Sequence, residues 1–135
     1  MINFMYLEDD SIDVISIRRM FKKNQITNSL YVAEDGLEAL SILRELSISS
    51  HVITEEMVML LNFYTLHDKG IKLLEELLYN TRFQEIPVIF ILTADEKKNR
   101  LQTYNFNIIG YLSKPITFSE IAKIVRLKVH NSVVS

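Results

Sequence analysis

Cysteine is absent from the sequence, which removes disulfide bonds and thiol chemistry and is compatible with a reducing compartment. No apolar run approaches the roughly 18 residues needed to cross a bilayer. The N-terminus has no basic stretch leading into an apolar segment with a cleavage site, so no secretory leader is expected. An excess of one charge sign is also missing. Fifteen Lys and Arg stand against 17 Asp and Glu, a net charge of −2, whereas nucleic-acid binding usually calls for a clustered basic surface. Only three glycines occur, and no glycine-rich phosphate loop follows the first strand, which counts against a nucleotide ligand. There is no internal repeat, low-complexity tract or linker. What is present is a chain of 135 residues, 48% hydrophobic and 24% charged, suited to one domain with a substantial core. The expectation is a single cytoplasmic domain over residues 1–135, with no membrane segment and no output domain of its own.

Short apolar runs alternate with longer segments of helical period. Ile2 to Leu7, "INFMYL", reads as a first buried strand. After the acidic "EDD", Ser11 is placed to cap a helix running to about Asn24, with Val14, Ile17 and Phe21 on one face. "LYVA" (Leu30 to Ala33) is a second strand, and "EDGLEALSILRELS" a second helix with Leu40, Leu43 and Leu46 inward. The polar connection "SISSHVITEE" leads into a third strand, "MVMLL", followed by a loop and a third helix from Ile71 to Tyr79. Ile86 to Leu92 forms a fourth strand, opened by Pro87 where proline is tolerable. A polar helix is expected from about Asp95 to Tyr104, a fifth strand in "NIIGYL", and a last helix from Phe118 to about Val129. Five strand–helix units predict an α/β domain with a five-stranded, doubly wound parallel sheet and helices on both faces. Continuous apolar strands fit a sheet buried on both sides.

In such folds the functional crevice lies beyond the carboxyl ends of the strands, at the point where strand order reverses. The residues following the strands are therefore the candidates. They are Glu8-Asp9-Asp10, Asn62, Thr93-Ala94 and Ser113-Lys114-Pro115. Clustered carboxylates need a compensating cation or lysine. Oxygen ligands with open positions suit Mg²⁺, and a hydroxyl and an ammonium opposite the acids can receive phosphoryl oxygens.

Five ordered pieces, "YLEDDSIDV", "EDGLEAL", "VMLLNFYTLHDKGIKLLEEL", "IPVIFILTA" and "GYLSKPI", make the sequence resemble the receiver domains of bacterial response regulators over essentially the whole chain. Among these it is similar to the small stand-alone receivers that work with bacterial phytochromes. The resemblance implies the flavodoxin-like receiver fold. By position, Glu8 and Asp9 match the acidic pair that holds Mg²⁺, Asp9 directly and Glu8 largely through water. Asn62 and the backbone of Tyr64 complete that set. Thr93 and Lys114 match the residues that meet the phosphoryl group, Lys114-Pro115 a cis peptide, and Tyr111 the switch aromatic.

Asn62 matches the phospho-accepting aspartate, and here the sequence departs from the family. An acyl phosphate needs a carboxylate oxygen to attack the donor beside the metal. An amide has no anionic oxygen, and it removes one negative charge, so Mg²⁺ binding is expected to be weak. Leu66 and Lys69 also replace the family's usual proline and aspartate in the loop. The implied function is an atypical, pseudo-receiver role in two-component signalling. It acts by protein contact with a histidine kinase or another signalling protein, without phosphorylation at Asn62 and without enzyme activity. The alternative is a conventional phosphoaccepting response regulator whose aspartate has been replaced by Asn62. A small-ligand binder using the same crevice is a third class.

Plainer readings stand beside these. "EDD" alone could be a solvated turn, Thr93 a helix start, Lys114 an exposed lysine and Asn62 a strand-terminating amide. His51, His67 and His130 have no carboxylate at metal spacing and read as surface residues; Asp68 is a remote substitute acceptor. On the last helix Phe118, Ile121, Ala122, Val125 and Val129 form one inward stripe, leaving Ile124 and Leu127 outside it. That outward apolar surface, with the family's habit of pairing, suggests a homodimer through the 95–104 helix, the 108–112 strand and the 118–129 helix.

Overall fold

The computed structural model describes residues 2–49, 57–66, 69–92 and 107–126. In chain order these form β1 (Asn3–Leu7), α1 (Ser11–Lys23), β2 (Leu30–Ala33), α2 (Gly36–Ser49), β3 (Met57–Asn62), α3 (Phe63–Leu66), α4 (Ile71–Tyr79), β4 (Val88–Ile91), β5 (Ile108–Leu112) and α5 (Phe118–Val125). The strands make one parallel sheet in the order β2-β1-β3-β4-β5. This is the doubly wound, flavodoxin-like architecture expected from the alternation of strands and helices.

The period of two along each strand divides the core into two layers. Met5, Leu7, Met59, Leu61, Val88 and Phe90 face one way, where Leu40 and Leu43 of α2 and Leu73 and Leu77 of α4 cover them. Phe4, Tyr6, Val58, Leu60, Ile89 and Ile91 face the other way, against Ile17 and Phe21 of α1 and Ile121 of α5. Every residue of β3 is buried, which explains why that strand reads as an unbroken apolar run instead of an alternating one.

Several boundaries differ from the sequence reading. Asp10, not Ser11, caps α1, its carboxylate accepting from the amides of Ile12 and Asp13. β3 takes in Asn62 and passes directly into a one-turn helix, α3, where a loop was expected. The largest correction concerns Ile124. It was expected to face outward, yet it packs into the second core layer. Gly110 is the reason: a Cβ there would lie 2.8 Å from both Cδ1 and Cγ2 of Ile124. A glycine inside a strand marks such a close approach. The 95–104 helix, Leu127, Val129, Thr93, Asp68 and the three histidines lie outside the described residues.

The first residue of α2 sits beneath the turn into α4. A Cβ on Gly36 would be 2.5 Å from the carbonyl oxygen of Lys69 and 2.6 Å from Cα of Gly70. Lys69 itself has φ of 56°, in the left-handed region. Gly36→Ala is therefore expected to cost about 1–2 kcal/mol in chemical denaturation, since backbone cannot yield as a side-chain tip can. Unchanged stability would mean the turn lifts freely off α2.

Candidate functional site

The connection from β1 runs outward to β2 on one side, whereas β3, on the other side of β1, continues outward to β4, and this reversal opens a crevice at the carboxyl ends of β1 and β3. Leu7 and Leu61 pair in register, so Glu8 and Asn62, the next residues along, stand side by side.

Glu8 is the centre of the site and is 1% exposed. Its Oε1 accepts from the Tyr6 hydroxyl at 3.1 Å, from Asn62 Nδ2 at 2.7 Å and from Lys114 Nζ at 2.8 Å. Its Oε2 accepts from the Asp10 amide at 3.2 Å. A buried carboxylate is tolerable only with such donors around it. Tyr6 reaches Glu8 because residues two apart on a strand share a face. Burial first, and then the charge and hydrogen bond of Glu8, raise the Tyr6 pKa far above its ordinary value.

Asn62 is buried, and its amide is committed at both ends. Nδ2 donates to Glu8, while Oδ1 accepts from the Tyr64 amide at 3.0 Å. The two partners fix the orientation of the group, because a carboxylate needs a donor and an N–H needs an acceptor. The second contact is an Asx turn that starts α3. Asp9 lies at the exposed rim, its Oδ1 accepting from the Thr65 hydroxyl at 3.3 Å.

Lys114 follows β5 at the Lys114-Pro115 peptide, which is cis as the resemblance implied. Its ammonium bridges Glu8 and Asp13, the latter at 2.6 Å to Oδ2. Burial pulls the Lys114 pKa down, but the hydrogen bonds and charges of Asp13 and Glu8 outweigh it and the net shift is upward. Among the described residues, no buried side-chain nitrogen or oxygen lacks a hydrogen-bond partner.

Of the residues singled out in the sequence, Glu8, Asn62 and Lys114 meet directly. Asp9 is held at the edge. Tyr64 contributes its backbone amide to Asn62 while its ring is exposed, and Tyr111 lies on β5 with its side chain exposed. Thr93 lies outside the described residues. Three participants were missed: Tyr6, Asp13 and Thr65. Tyr6 carried a signal, standing two residues before the acid on the same strand. Asp13 carried a weaker one, in the first turn of the helix that Asp10 caps. Thr65 carried none, because α3 was read as loop. Chemically the cluster is an anion enclosed by donors, with an amide where the strand end could have offered a second carboxylate.

Residues 4–126 match the family model described as the response regulator receiver domain. The probable transcriptional regulator ycf29 of Pyropia yezoensis is 33% identical over 97 residues, 72% of this chain, which spans only 40% of that protein. A two-component response regulator from Legionella pneumophila superposes with a TM-score of 0.70 at 27% identity, covering 94% of this chain and 97% of that one. The bacteriophytochrome response regulator AtBRR superposes at 0.72 with 23% identity, covering 93% and 91%. With the strand order, the crevice between β1 and β3 and the match over nearly its whole length, the chain belongs to the response regulator receiver domain family.

Proposed function

We propose that this receiver signals by protein contact alone, without phosphorylation at Asn62. The observation that carries the reading is the bond from Asn62 Nδ2 to Glu8 Oε1. The group at the phosphoacceptor position is employed as a hydrogen-bond donor, which a carboxylate cannot be when ionised. Its partners are then a histidine kinase or another signalling protein in the cytoplasm, and the domain is not itself an enzyme. Homodimer pairing through the last strand and helix remains part of the proposal, with exposed Tyr111 on its surface and Ile124 removed from it.

The divalent cation that the family resemblance implies does not fit this arrangement. Glu8 has its oxygens occupied by four donors, and Asn62 turns hydrogens, not a lone pair, toward it. Among the described residues no three His, Cys, Asp or Glu side chains are placed to hold a metal ion. Cation binding is therefore weakened beyond the loss of one charge at residue 62.

The test is intact mass after incubation with Mg²⁺ and a small phosphodonor, for this chain and for Asn62→Asp in parallel. The unaltered chain is expected to gain no phosphoryl mass. A gain by Asn62→Asp would show that the surrounding residues still form a competent pocket. Labelling of the unaltered chain would overturn the reading.

A further inference from the structure

We propose that the groove between the second half of α1 and the start of α5 binds a phosphate monoester of a small, planar, apolar molecule. This goes beyond the reading of Asn62, since no residue lining the groove is among those that meet at Glu8. The groove measures about 490 Å³, inside the range of small-molecule sites, roughly 300–1,000 Å³. Its apolar lining is Met20, Ile116 and Phe118, each half-buried. Its polar lining includes Arg19 and Lys23 from α1 and Ser119 from α5, all exposed.

Two observations point to the ligand. The first is Phe118. Helical spacing puts it on the inward stripe of α5 with Ile121 and Val125, and those two do enter the second core layer, yet Phe118 belongs to neither layer. Its ring is left to the groove, where it offers a face for a planar group, beside the adaptable side chain of Met20. The second observation is charge. Arg18, Arg19, Lys22 and Lys23 crowd the last two turns of α1 in a chain of net charge −2. Among the described residues, the ion pairs engage Arg44, Lys69 and Lys114 and none of these four. Arg19 and Lys23, four apart, share one helix face with Cβ atoms about 6 Å from each other. The acid in the first turn of α5, Glu120, accepts from the Thr117 hydroxyl at 2.8 Å. Two unbalanced cations on one wall call for a dianion. A guanidinium fork takes two oxygens in its plane and an ammonium takes a third as a point charge. A phosphate monoester supplies three terminal oxygens and a charge of about −2 near neutral pH, whereas a carboxylate supplies two oxygens and one charge. The apolar lining then selects a monoester with a body over the bare ion.

The experiment titrates phenyl phosphate and inorganic phosphate, at constant ionic strength and pH 7.5, and reads backbone amide NMR shifts. The proteins are the unaltered chain, Arg19→Gln, Lys23→Gln, Phe118→Leu and Lys72→Gln. Lys72 is exposed on α4, which covers the other face of the sheet, so its replacement removes a charge far from the groove. Phenyl phosphate is expected to saturate the unaltered chain and Lys72→Gln at about 1 mM, with shifts confined to residues 19–24 and 116–119. Arg19→Gln and Lys23→Gln are each expected to bind it at least about tenfold more weakly, the loss of one charge-assisted hydrogen bond. Inorganic phosphate is expected to bind the unaltered chain at least about tenfold more weakly than phenyl phosphate, for want of an apolar body. Phe118→Leu is expected to weaken phenyl phosphate and leave inorganic phosphate unchanged. No saturation by about 10 mM phenyl phosphate, equal affinity for the two phosphates, or equal binding by Arg19→Gln, Lys23→Gln and Lys72→Gln would overturn the proposal. The replaced cations are exposed, and should Phe118→Leu fail to fold, the comparison of the two phosphates on the unaltered chain still decides. Covalent phosphoryl mass on the unaltered chain is a separate result, which bears on the proposed function and not on this groove.

Discussion

Asn62→Asp is expected to lower the unfolding free energy by about 3 kcal/mol at neutral pH in the absence of divalent cations. Asn62 Nδ2 lies 2.7 Å from Glu8 Oε1, and Glu8 is 1% exposed. The substitution removes a donor from a buried anion and puts a second carboxylate in its place. Like charges at that distance cannot both ionise without large cost, so one of the two carboxyls must take a raised pKa in the folded variant. A raised folded pKa means that the folded variant binds a proton more readily than its unfolded chain. Its stability relative to the original protein should therefore improve as pH falls through the acid range. Urea denaturation of both proteins between pH 7 and pH 5 checks this. Equal stability at pH 7, or a deficit that stays constant with pH, would mean that Glu8 and residue 62 do not face one another.

The second large effect lies at alkaline pH. Tyr6 is fully buried with its hydroxyl on Glu8, and its pKa is raised by burial and then by that charge and hydrogen bond. A raised folded pKa contributes stability that is fully present below the unfolded pKa, about 10 for tyrosine, and is lost as pH rises beyond it. The expected loss approaches 1.4 kcal/mol per pH unit for this one proton. Lys114, whose pKa is also raised, adds to the same limb through loss of its ammonium. Tyr6→Phe should lower stability at pH 7 by about 1–2 kcal/mol, because Glu8 loses one donor without any change in packing volume. It should also flatten the alkaline limb, since no phenol remains to titrate. Denaturation curves from pH 8 to pH 11 separate the two effects. A Tyr6→Phe limb as steep as that of the original protein would assign the loss to other groups.

Much of this fold is legible in the residues. Period and strand–helix alternation suffice for β1, β3 and β4, because a parallel sheet covered on both faces makes its strands continuously apolar. The carboxyl-end rule then selects Glu8, Asn62 and Lys114 from the sequence alone. Other features depended on tertiary contact. Ile124 reads as outward by helical spacing, and only the missing Cβ of Gly110, fourteen residues earlier, admits it to the core. The one-turn helix α3 begins with the Asn62 side-chain Oδ1 accepting from the Tyr64 amide, a local bond that no apolar period announces. Asp13 is one of several acids near the start of α1. Its role follows from the placement of Lys114, 101 residues later in the chain, which spacing along a single helix cannot reveal.

The amide of Asn62 is thus a fixed donor and acceptor within a closed network, and its side-chain NMR resonances report on this most directly. In ¹⁵N–¹H spectra of the unaltered chain at neutral pH, the Asn62 amide proton directed at Glu8 is expected to be shifted downfield and protected from exchange with water, and to lose both properties in Glu8→Gln. Rapid exchange of both Asn62 amide protons, unaffected by Glu8→Gln, would contradict it.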